Sequence, residues 1–431
     1  MVGPVRVSRG LARPAGAWPG PAAPRIRPRP QLAWQALALC LAAAGLYALL
    51  ASWHTQDSDH WFVPWLDQMV DKGAWRSIGQ PMRVETEGAS GYANYSPPYL
   101  YLLALGSLLA PHLAGLAIVK LVAVVGTVFC AACLYALLRR FVAVRSAALA
   151  AGVFLLLPTV ALNGAGWGQT DAIYSGLLAL TVAAAVAGRW RLMMAAFGAA
   201  FAFKLQAAFL GPFVLYVVIS RRVPFAAWLL APFAYVLSLV PAWLAGRSLG
   251  DLAGVYLEQA DTYRWLSMKA PNPWVFIQHF ELMGYGQGVL VGTACAAAAG
   301  LLIAGLAFRW RLGGSDLLLL AAVSAMLVPF LLPKMHDRYF FPTDVLCFAF
   351  AVARPGWRSA TVAAAEQFGS LAAYASILFG VQAGPSLGAV SMGGAILLAG
   401  ALLAETLARG EREQPRGPGG SMSHPLPQRR G

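Results

Sequence analysis

The chain has 431 residues, of which 59% are hydrophobic and only 12% are charged. A soluble domain carries about 25% charged residues, so these figures exclude an ordinary soluble enzyme, a disordered protein and a coiled coil. The net charge of +14 would suit nucleic-acid binding. The positive charges are distributed as membrane topology requires, which explains the net charge without nucleic-acid binding. No nucleic-acid partner is therefore expected.

The order of segments along the chain predicts an all-α polytopic membrane protein. Residues 1–32 hold six Arg and no acid and are predicted to be a disordered basic tail, as is the polar segment 409–431. The transmembrane catalytic domain is predicted over 33–408. Its apolar segments, many of them near the length of about 20 residues that crosses a bilayer, are 33–52, 97–110, 114–138, 146–162, 171–187, 192–220, 224–245, 287–308, 316–332, 341–353, 359–380 and 386–408.

Short basic connectors between these segments give the orientation. They contain eleven Arg and no acid, whereas most acids lie in the other polar segments. The positive-inside rule places the connectors, and with them both termini, in the cytoplasm. The arginines are Arg139, Arg140, Arg145, Arg189, Arg191, Arg221, Arg222, Arg309, Arg311, Arg354 and Arg358.

This alternation makes two further predictions. Only one full span fits between the outer loop 53–96 and the Arg connector that follows, so the short segment 97–110 is predicted to be interfacial or re-entrant. Segment 192–220 has cytoplasmic flanks at both ends, so it is predicted to be two short helices that turn near Lys204-Leu205-Gln206. About twelve transmembrane helices result, with interfacial helices in the first outer loop.

Six polar clusters from distant parts of the chain fall on the predicted outer side. Polar residues are expensive inside a bilayer, and scattered structural polarity has no reason to choose one side. The clusters therefore predict an outward-facing active site. They are 56–65, 94–99, 163–171, 203–206, 267–274 and 334–344.

Two carboxylates follow the first span. Asp57 and Asp59 lie beside the aromatic residues Trp61 and Trp65, and a carboxylate near an apolar wall can serve as a general base. The alternative is an ordinary solvated acid at a helix end within an aromatic belt.

The segment 163–171 reads NGAGWGQTD and lacks helical or strand periodicity. Its glycines permit close backbone approach, and the amide of Gln169 suits sugar hydroxyls. Asp171 can instead be explained as a cap of the following helix. Lys204 at the predicted turn suits a phosphate, the alternative being a lysine that snorkels to the interface.

The last cluster places three basic side chains within five residues, namely Lys334, His336 and Arg338. Such a group can bind a phosphate by charge-assisted hydrogen bonds. No second His lies nearby, which argues against a zinc site. The alternative is an ordinary outer loop in which these residues pair with Asp337. The sequence has no Walker loop, so an ATP-driven pump is not supported. A GxSxG elbow and an HExxH motif are also absent from it.

From about residue 33 to about residue 380 the chain resembles the bacterial GT-C superfamily of integral-membrane glycosyltransferases. The family motifs occur in the family's order. The resembling segments are DSDHWFVPW, NYSPPYLYLL, LNGAGWGQTDAIY, FAFKLQAAFLGPF, LSMKAPNPW and KMHDRYFFPTDVL.

The resemblance implies transfer of a sugar, most simply mannose or glucose, from a polyprenyl-phosphate carrier to an outward-facing lipid, glycan or protein acceptor, with inversion. It implies that Asp57 is the catalytic base, with Asp59 in reserve. It implies donor-phosphate binding by Lys204, Lys334, His336 and Arg338. The sugar and acceptor pocket would be formed by Tyr95, Trp167, Gln169, Asp171, Gln206, Asn272, Trp274 and Tyr339.

No cofactor is expected, although a divalent cation shared by Asp57, Asp171 and Asp344 is left open. The expected location is the bacterial inner membrane, among membrane lipids. The chief competing hypothesis is a transporter or flippase of a lipid-linked saccharide, which would also place polar groups at membrane depth. A scaffold without chemistry is the other, and the intact acidic and basic motifs argue against it.

Overall fold

The computed structural model describes residues 30–82, 91–261 and 263–413. Most of the two predicted tails, 1–29 and 414–431, lies outside these residues. Within them, the helical part extends slightly beyond the predicted 33–408, because the first helix begins at Pro30 and the last ends at Glu413.

The first half of the chain alternates long helices with short helical pieces. Its α-helices are α1 (Pro30–Leu50), α2 (Val63–Lys72), α3 (Ala74–Ile78), α4 (Pro97–Gly106), α5 (Gly115–Leu138), α6 (Val144–Phe154), α7 (Pro158–Ala161), α8 (Asp171–Val186) and α9 (Trp190–Phe203). Two π-helical segments, Ser58–Phe62 and Leu162–Trp167, and two 3₁₀ segments, Ser107–Leu109 and Leu205–Leu210, complete it. Single π-helical turns occur frequently at functional sites.

The second half has the same character. Its α-helices are α10 (Gly211–Ser220), α11 (Phe225–Trp228), α12 (Leu230–Leu244), α13 (Leu249–Asp261), α14 (Trp274–His279), α15 (Tyr285–Gly305), α16 (Gly314–Leu331), α17 (Phe341–Ala353), α18 (Trp357–Leu378) and α19 (Gly384–Glu413). A 3₁₀ segment, Leu306–Phe308, follows α15, and two strands, β1 (Ser267–Met268) and β2 (Met335–His336), lie in the loops.

Five described helices are long and apolar enough to cross a membrane, or six if the bent pair α6–α7 is one span. That pair is bent by 58° at the break around 155–157. Further apolar helices of 10–17 residues lie over Trp34–Leu50, Pro97–Leu109, Asp171–Val186, Trp190–Phe203, Leu205–Ser220 and Phe341–Ala353. The predicted segments are thus present as helices. The predicted count of about twelve spans stays a prediction, because several of them are shorter than a bilayer crossing requires.

The predicted break at Lys204 is present. Helix α9 ends at Phe203, and Lys204 has an extended backbone with φ −153° and ψ 136°. The 3₁₀ segment Leu205–Leu210 and helix α10 then continue the chain. The lysine therefore stands at an interruption between two helical segments.

Helix α4 is the observed form of the segment predicted to be interfacial. Its ten residues span about 15 Å, too little to cross the hydrocarbon core. It packs with the helices of the first loop around a buried aromatic cluster. The ring centroids of Phe62 and Tyr99 are 5.3 Å apart, and those of Tyr95 and Tyr99 are 5.1 Å apart. Its position at the membrane surface stays a prediction.

A short parallel ladder joins two polar loops that are far apart in sequence. Ser267 pairs with Met335 and Met268 with His336, and an isolated bridge joins Lys269 to His336. The ladder fixes the 267–274 and 334–344 clusters against each other, so both can face one cavity.

Candidate active site

A cavity of about 940 Å³ opens where the polar loops meet. Segments of the first loop, the π-helical segment Leu162–Trp167, the break at Lys204 and the two paired loops all contribute to its walls. Six clusters were predicted to converge, and parts of all six line this cavity. The predicted site residues that line it are Asp57, Asp59, Tyr95, Trp167, Lys204, Gln206, His336, Arg338 and Tyr339.

Asp57 lies directly before the π-helical segment Ser58–Phe62. The guanidinium Nη1 of Arg338 lies 3.2 Å from its Oδ2. The amide Nε2 of Gln169 donates a hydrogen bond to the same oxygen. Both of these contacts, the ones that described residues make to the carboxylate, use Oδ2, so Oδ1 is left for a group that enters the cavity.

Asp171 is fully buried and does not cap its helix. The N-cap of α8 is Thr170, and no side-chain capping bond is formed there. Instead, Oδ2 of Asp171 accepts a hydrogen bond of 3.0 Å from Asn163 Nδ2, and Oδ1 forms an ion pair with the ammonium of Lys204. The capping explanation is therefore wrong, because the carboxylate faces the interior and binds cations.

Arg338 links the two acids, since its Nε lies 3.8 Å from Asp171 Oδ2. Burial opposes its charge, but the carboxylates of Asp57, Asp337 and Asp171 raise its pKa well above the usual value. Lys204, Arg338, Asp57 and Asp171 together form a charge-balanced cluster, here named the inner ion cluster. Opposite charges this close stabilise each other where water is scarce.

Aromatic rings surround the two cations of this cluster. Lys204 Nζ lies 5.7 Å from the ring centroid of Tyr95 and 5.9 Å from that of Tyr339. Arg338 Cζ lies 5.5 Å from the ring of Trp167. Such cation–π contacts stabilise a partly desolvated charge. They also form flat apolar walls on which a sugar face can stack.

Asp59 belongs to a separate and more open pair. Its Oδ1 lies 3.0 Å from Nδ1 of His54 and accepts a 3.1 Å hydrogen bond from Ser58. The Asp59 side chain is 40% exposed, compared with 23% for Asp57. The two acids that sequence reasoning could not separate thus occupy different environments.

The loop 334–340 carries two further titratable groups. Burial, together with the charges of Arg338 and Lys204, lowers the pKa of His336 well below its usual value. Its imidazole is therefore neutral near pH 7 and offers a hydrogen bond but no charge. Burial is also the largest cause that raises the pKa of Asp337 to about 7. Asp337 lines the cavity and forms no ion pair with a described residue.

Five predicted site residues lie outside the cavity lining. Gln169 and Asp171 stand directly behind it, as described above, and Gln169 also lies 3.4 Å from the hydroxyl of Tyr95. The other three are Lys334, Asn272 and Trp274.

Those three residues lie in or next to the two paired loops and make contacts other than those of the cavity wall. The amide of Asn272 donates to the carbonyl of Leu332 at 3.1 Å, and the indole of Trp274 donates to the carbonyl of Leu331 at 2.8 Å. They hold the C-terminal end of α16. Lys334 Nζ lies 5.5 Å from the ring of Tyr285, away from the inner ion cluster.

Several residues of the site were not assigned a role from the sequence. Thr55 Oγ1 donates to the carbonyl of Trp167 at 3.2 Å, and Lys120 donates to the carbonyl of Gly166. Lys269 lines the cavity in a left-handed conformation, with φ +62°. Tyr374 lies 3.3 Å from Asn163 Nδ2, and its ring stacks edge-on with Trp167. The sequence gives one indication for Lys120, because it is a lone lysine inside an apolar segment. It gives no indication that Tyr374 belongs to the site.

The described residues hold no group of three or more His, Cys, Asp or Glu side chains that could bind a metal. Asp344 does not join Asp57 and Asp171. It lies on α17 and is fully buried against α18, where Ser370 donates to it at 3.2 Å, and it is beside Glu366. The shared divalent site left open by the sequence is therefore not formed by these three carboxylates.

Short helices in the first loop, a helix pair broken at a buried lysine and a charged cavity are combined in one helical protein, whose described part has at least five helices apolar and long enough to cross a membrane. The crystal structure of ArnT from Cupriavidus metallidurans bound to undecaprenyl phosphate has a similar fold, with a TM-score of 0.51, 15% identity, and coverage of 88% of this chain and 78% of that chain. The apo structure of ArnT has a TM-score of 0.49 at 16% identity, with coverage of 89% and 78%. No family model and no curated protein matches the sequence. The first likeness confirms the predicted all-α polytopic membrane fold.

Proposed function

We propose that the protein is a glycosyltransferase that moves one sugar from a polyprenyl-phosphate carrier to an acceptor, with inversion at the anomeric carbon. The observation that carries this proposal is the inner ion cluster, which places a carboxylate and two cations at one cavity. The likeness of fold to a protein crystallised with undecaprenyl phosphate supports a lipid-phosphate donor. A hexose, mannose or glucose, is the proposed sugar.

In this mechanism Asp57 is the base. Its Oδ2 is held by Arg338 and Gln169, so Oδ1 is available to accept the proton of an acceptor hydroxyl. That hydroxyl oxygen then attacks the anomeric carbon, and the bond from this carbon to the phosphate oxygen breaks. The electron pair leaves with the lipid phosphate, which is already an anion and needs no proton.

Cations of the cavity stabilise the phosphate as it leaves. The side chains of Arg338 and Lys204 are largely buried, and each is already paired with a carboxylate. Of the lysines and arginines that line the cavity in the described part of the chain, Lys269 is the one without a carboxylate partner. We therefore add Lys269 to the proposed phosphate-binding residues. His336 contributes a neutral hydrogen bond.

The proposed sugar pocket is formed by Tyr95, Trp167, Gln206 and Tyr339, which line the cavity. Gln169 contacts Asp57 and Tyr95, and its proposed role is to orient the base. Asp171 orients Lys204 and Arg338. Asn272, Trp274 and Lys334 support the loops that carry Arg338.

The proposed location is the bacterial inner membrane, with the cavity on the extracytoplasmic side and both termini in the cytoplasm. Helix α8 begins at Asp171 beside the cavity and ends at Val186, just before Arg189. Its 16 residues span about 24 Å, so cavity and basic connector lie at opposite ends of one helix. Because the positive-inside rule favours a cytoplasmic position for the basic connector, this arrangement supports an outward-facing cavity.

The test is to incubate purified full-length protein with polyprenyl-phosphate mannose, glucose or arabinose, each radiolabelled in the sugar. A panel of glycolipid, glycan and peptide acceptors is supplied, with and without EDTA. Loss of label from one donor, with label recovered in an acceptor, supports transfer and identifies the sugar. No turnover of any donor, together with movement of lipid-linked sugar across proteoliposomes, would favour a transporter or flippase.

A further inference from the structure

A second cavity, of about 400 Å³, lies at the opposite end of α8 and α9 from the active-site cavity. It is formed where the connector between these helices meets the start of α11. Its described lining is Arg189, Trp190, Arg191, Leu192, Pro224, Ala226 and Ala227. The inner ion cluster does not extend here, so the proposed reaction leaves this cavity unused.

No acid of the described residues pairs with the arginines of this cavity. The sequence has no Asp or Glu between Asp171 and Asp251, so neither α9 nor α11 carries an acid. Within the described residues, Arg189 and Arg191 form no ion pair, whereas Arg354 and Arg358 pair with Asp316 and Glu405. Two exposed guanidinium groups beside one cavity, without an acid to neutralise them, favour an anionic ligand.

The remaining walls are apolar. Leu192, Pro224 and the alanines supply hydrocarbon surface, and Trp190 is half-buried at the rim. Nearby, Phe225 and Trp228 are 67% and 40% exposed. Aromatic side chains at the end of apolar helices are typical of the boundary between membrane and water. A ligand with one anionic group and an adjoining apolar part matches this surface.

From these observations we propose that the cavity binds the headgroup of an anionic phospholipid. Arg189 and Arg191 hold the phosphodiester by charge-assisted hydrogen bonds, and the glycerol and first acyl carbons lie against Leu192 and Pro224. Basic pockets between transmembrane helices are a recurrent place for such headgroups. The lipid bridges the start of α9 to α11 and so stabilises the helix that ends at Lys204. This site is independent of the proposed sugar transfer.

The test compares lipid binding by the purified full-length protein and by the variant Arg189→Ala/Arg191→Ala. Dioleoyl phosphatidylglycerol and dioleoyl phosphatidylcholine are titrated in a neutral detergent, with bound lipid measured by native mass spectrometry and the thermal midpoint by intrinsic fluorescence. We expect the wild type to retain phosphatidylglycerol preferentially and to be stabilised by it. The double variant should bind it about tenfold more weakly or worse.

The matched control is Arg139→Ala/Arg140→Ala, which removes the same charge from another connector that does not line this cavity. It should bind phosphatidylglycerol as the wild type does. Arg191→Gln, a milder change, replaces the double variant if the latter does not fold. Equal binding of the two lipids by the wild type, or an unchanged affinity in the variants, overturns the proposal. Stabilisation by inorganic phosphate equal to that by phosphatidylglycerol assigns the site to a free anion and also overturns it.

Discussion

Arg338 Nη1 lies 3.2 Å from Asp57 Oδ2, although the two residues belong to opposite halves of the chain. The contact is possible because residues of the first loop and of the 334–340 loop line the same cavity. It orients the Asp57 carboxylate and leaves only one of its oxygens for an incoming group. Through its Nε, Arg338 also reaches Asp171, so one guanidinium couples the proposed base to the buried acid.

The first prediction concerns Asp57. Replacement by Asn keeps the shape and the contact with Gln169 but removes the proton acceptor. Turnover of the lipid-linked sugar should fall by about 10²–10⁴-fold, as measured by label transfer, and intrinsic fluorescence checks that the variant is folded at the assay temperature. Asp59→Asn is the control, because Asp59 pairs with His54 and lies outside the inner ion cluster. Loss of turnover in Asp59→Asn with retention in Asp57→Asn would show that Asp59 is the base.

The second prediction concerns the buried pair of Asp171 and Lys204. Asp171→Asn leaves the lysine as a buried charge without its partner, so it should destabilise the fold by about 3–5 kcal/mol. Lys204→Met should have a cost of similar origin. In the double variant both charges are gone, so its loss of stability should be smaller than the sum of the two single losses. Denaturation of the wild type, the two single variants and the double variant in detergent measures the coupling energy between Asp171 and Lys204. Strictly additive losses of stability would show that the two side chains are not coupled.

Much of the fold follows from hydropathy and charge. Helix α17 spans the predicted segment 341–353, and the break at Lys204 was predicted because two cytoplasmic flanks require an even number of crossings. These features follow from the length of apolar segments and from the positions of basic residues. Both can be read from the sequence, because the thickness and the polarity of the bilayer constrain them.

The geometry of the site does not follow in the same way. The π-helical segment Leu162–Trp167 packs against α5 and α1, and these tertiary contacts are not encoded in a local sequence pattern. Asp171 at the start of a helix has the sequence signature of a cap, yet its carboxylate turns inward to Lys204. Tyr374 lies in an apolar helix and touches Asn163 only through tertiary contact. Cluster membership was predictable from the sequence, whereas the pairing within the cluster required the three-dimensional structure.

The third prediction concerns Lys269, which adopts a left-handed backbone at φ +62° while it lines the cavity. Such a conformation is costly for a residue with a side chain and easy for glycine. Lys269→Gly should therefore keep or raise the thermal midpoint. It should also raise the KM for the donor about tenfold, because one charge-assisted contact to the phosphate is lost.

Arg264→Gly is the matched control for Lys269. It removes one positive charge from the same loop, and Arg264 is exposed but does not line the cavity. The KM for the donor should stay within about twofold of the wild type. A KM that is unchanged in Lys269→Gly, or raised equally by the two substitutions, would show that Lys269 makes no specific contact with the donor phosphate.

The fourth prediction concerns pH and Asp337. Burial, with the nearby carboxylates of Asp57 and Asp171, raises the pKa of Asp337 to about 7, while the positive charge of Arg338 opposes this. The folded protein thus holds a proton that the unfolded chain, with a pKa near 3.8, has already released. Ionisation therefore destabilises the fold increasingly from about pH 4 to pH 7, and its full cost remains above pH 7. Asp337→Asn removes this cost, so its thermal midpoint should exceed that of the wild type by more at pH 8 than at pH 5. A difference that is the same at both pH values would show that Asp337 ionises in the folded protein as it does in the unfolded chain.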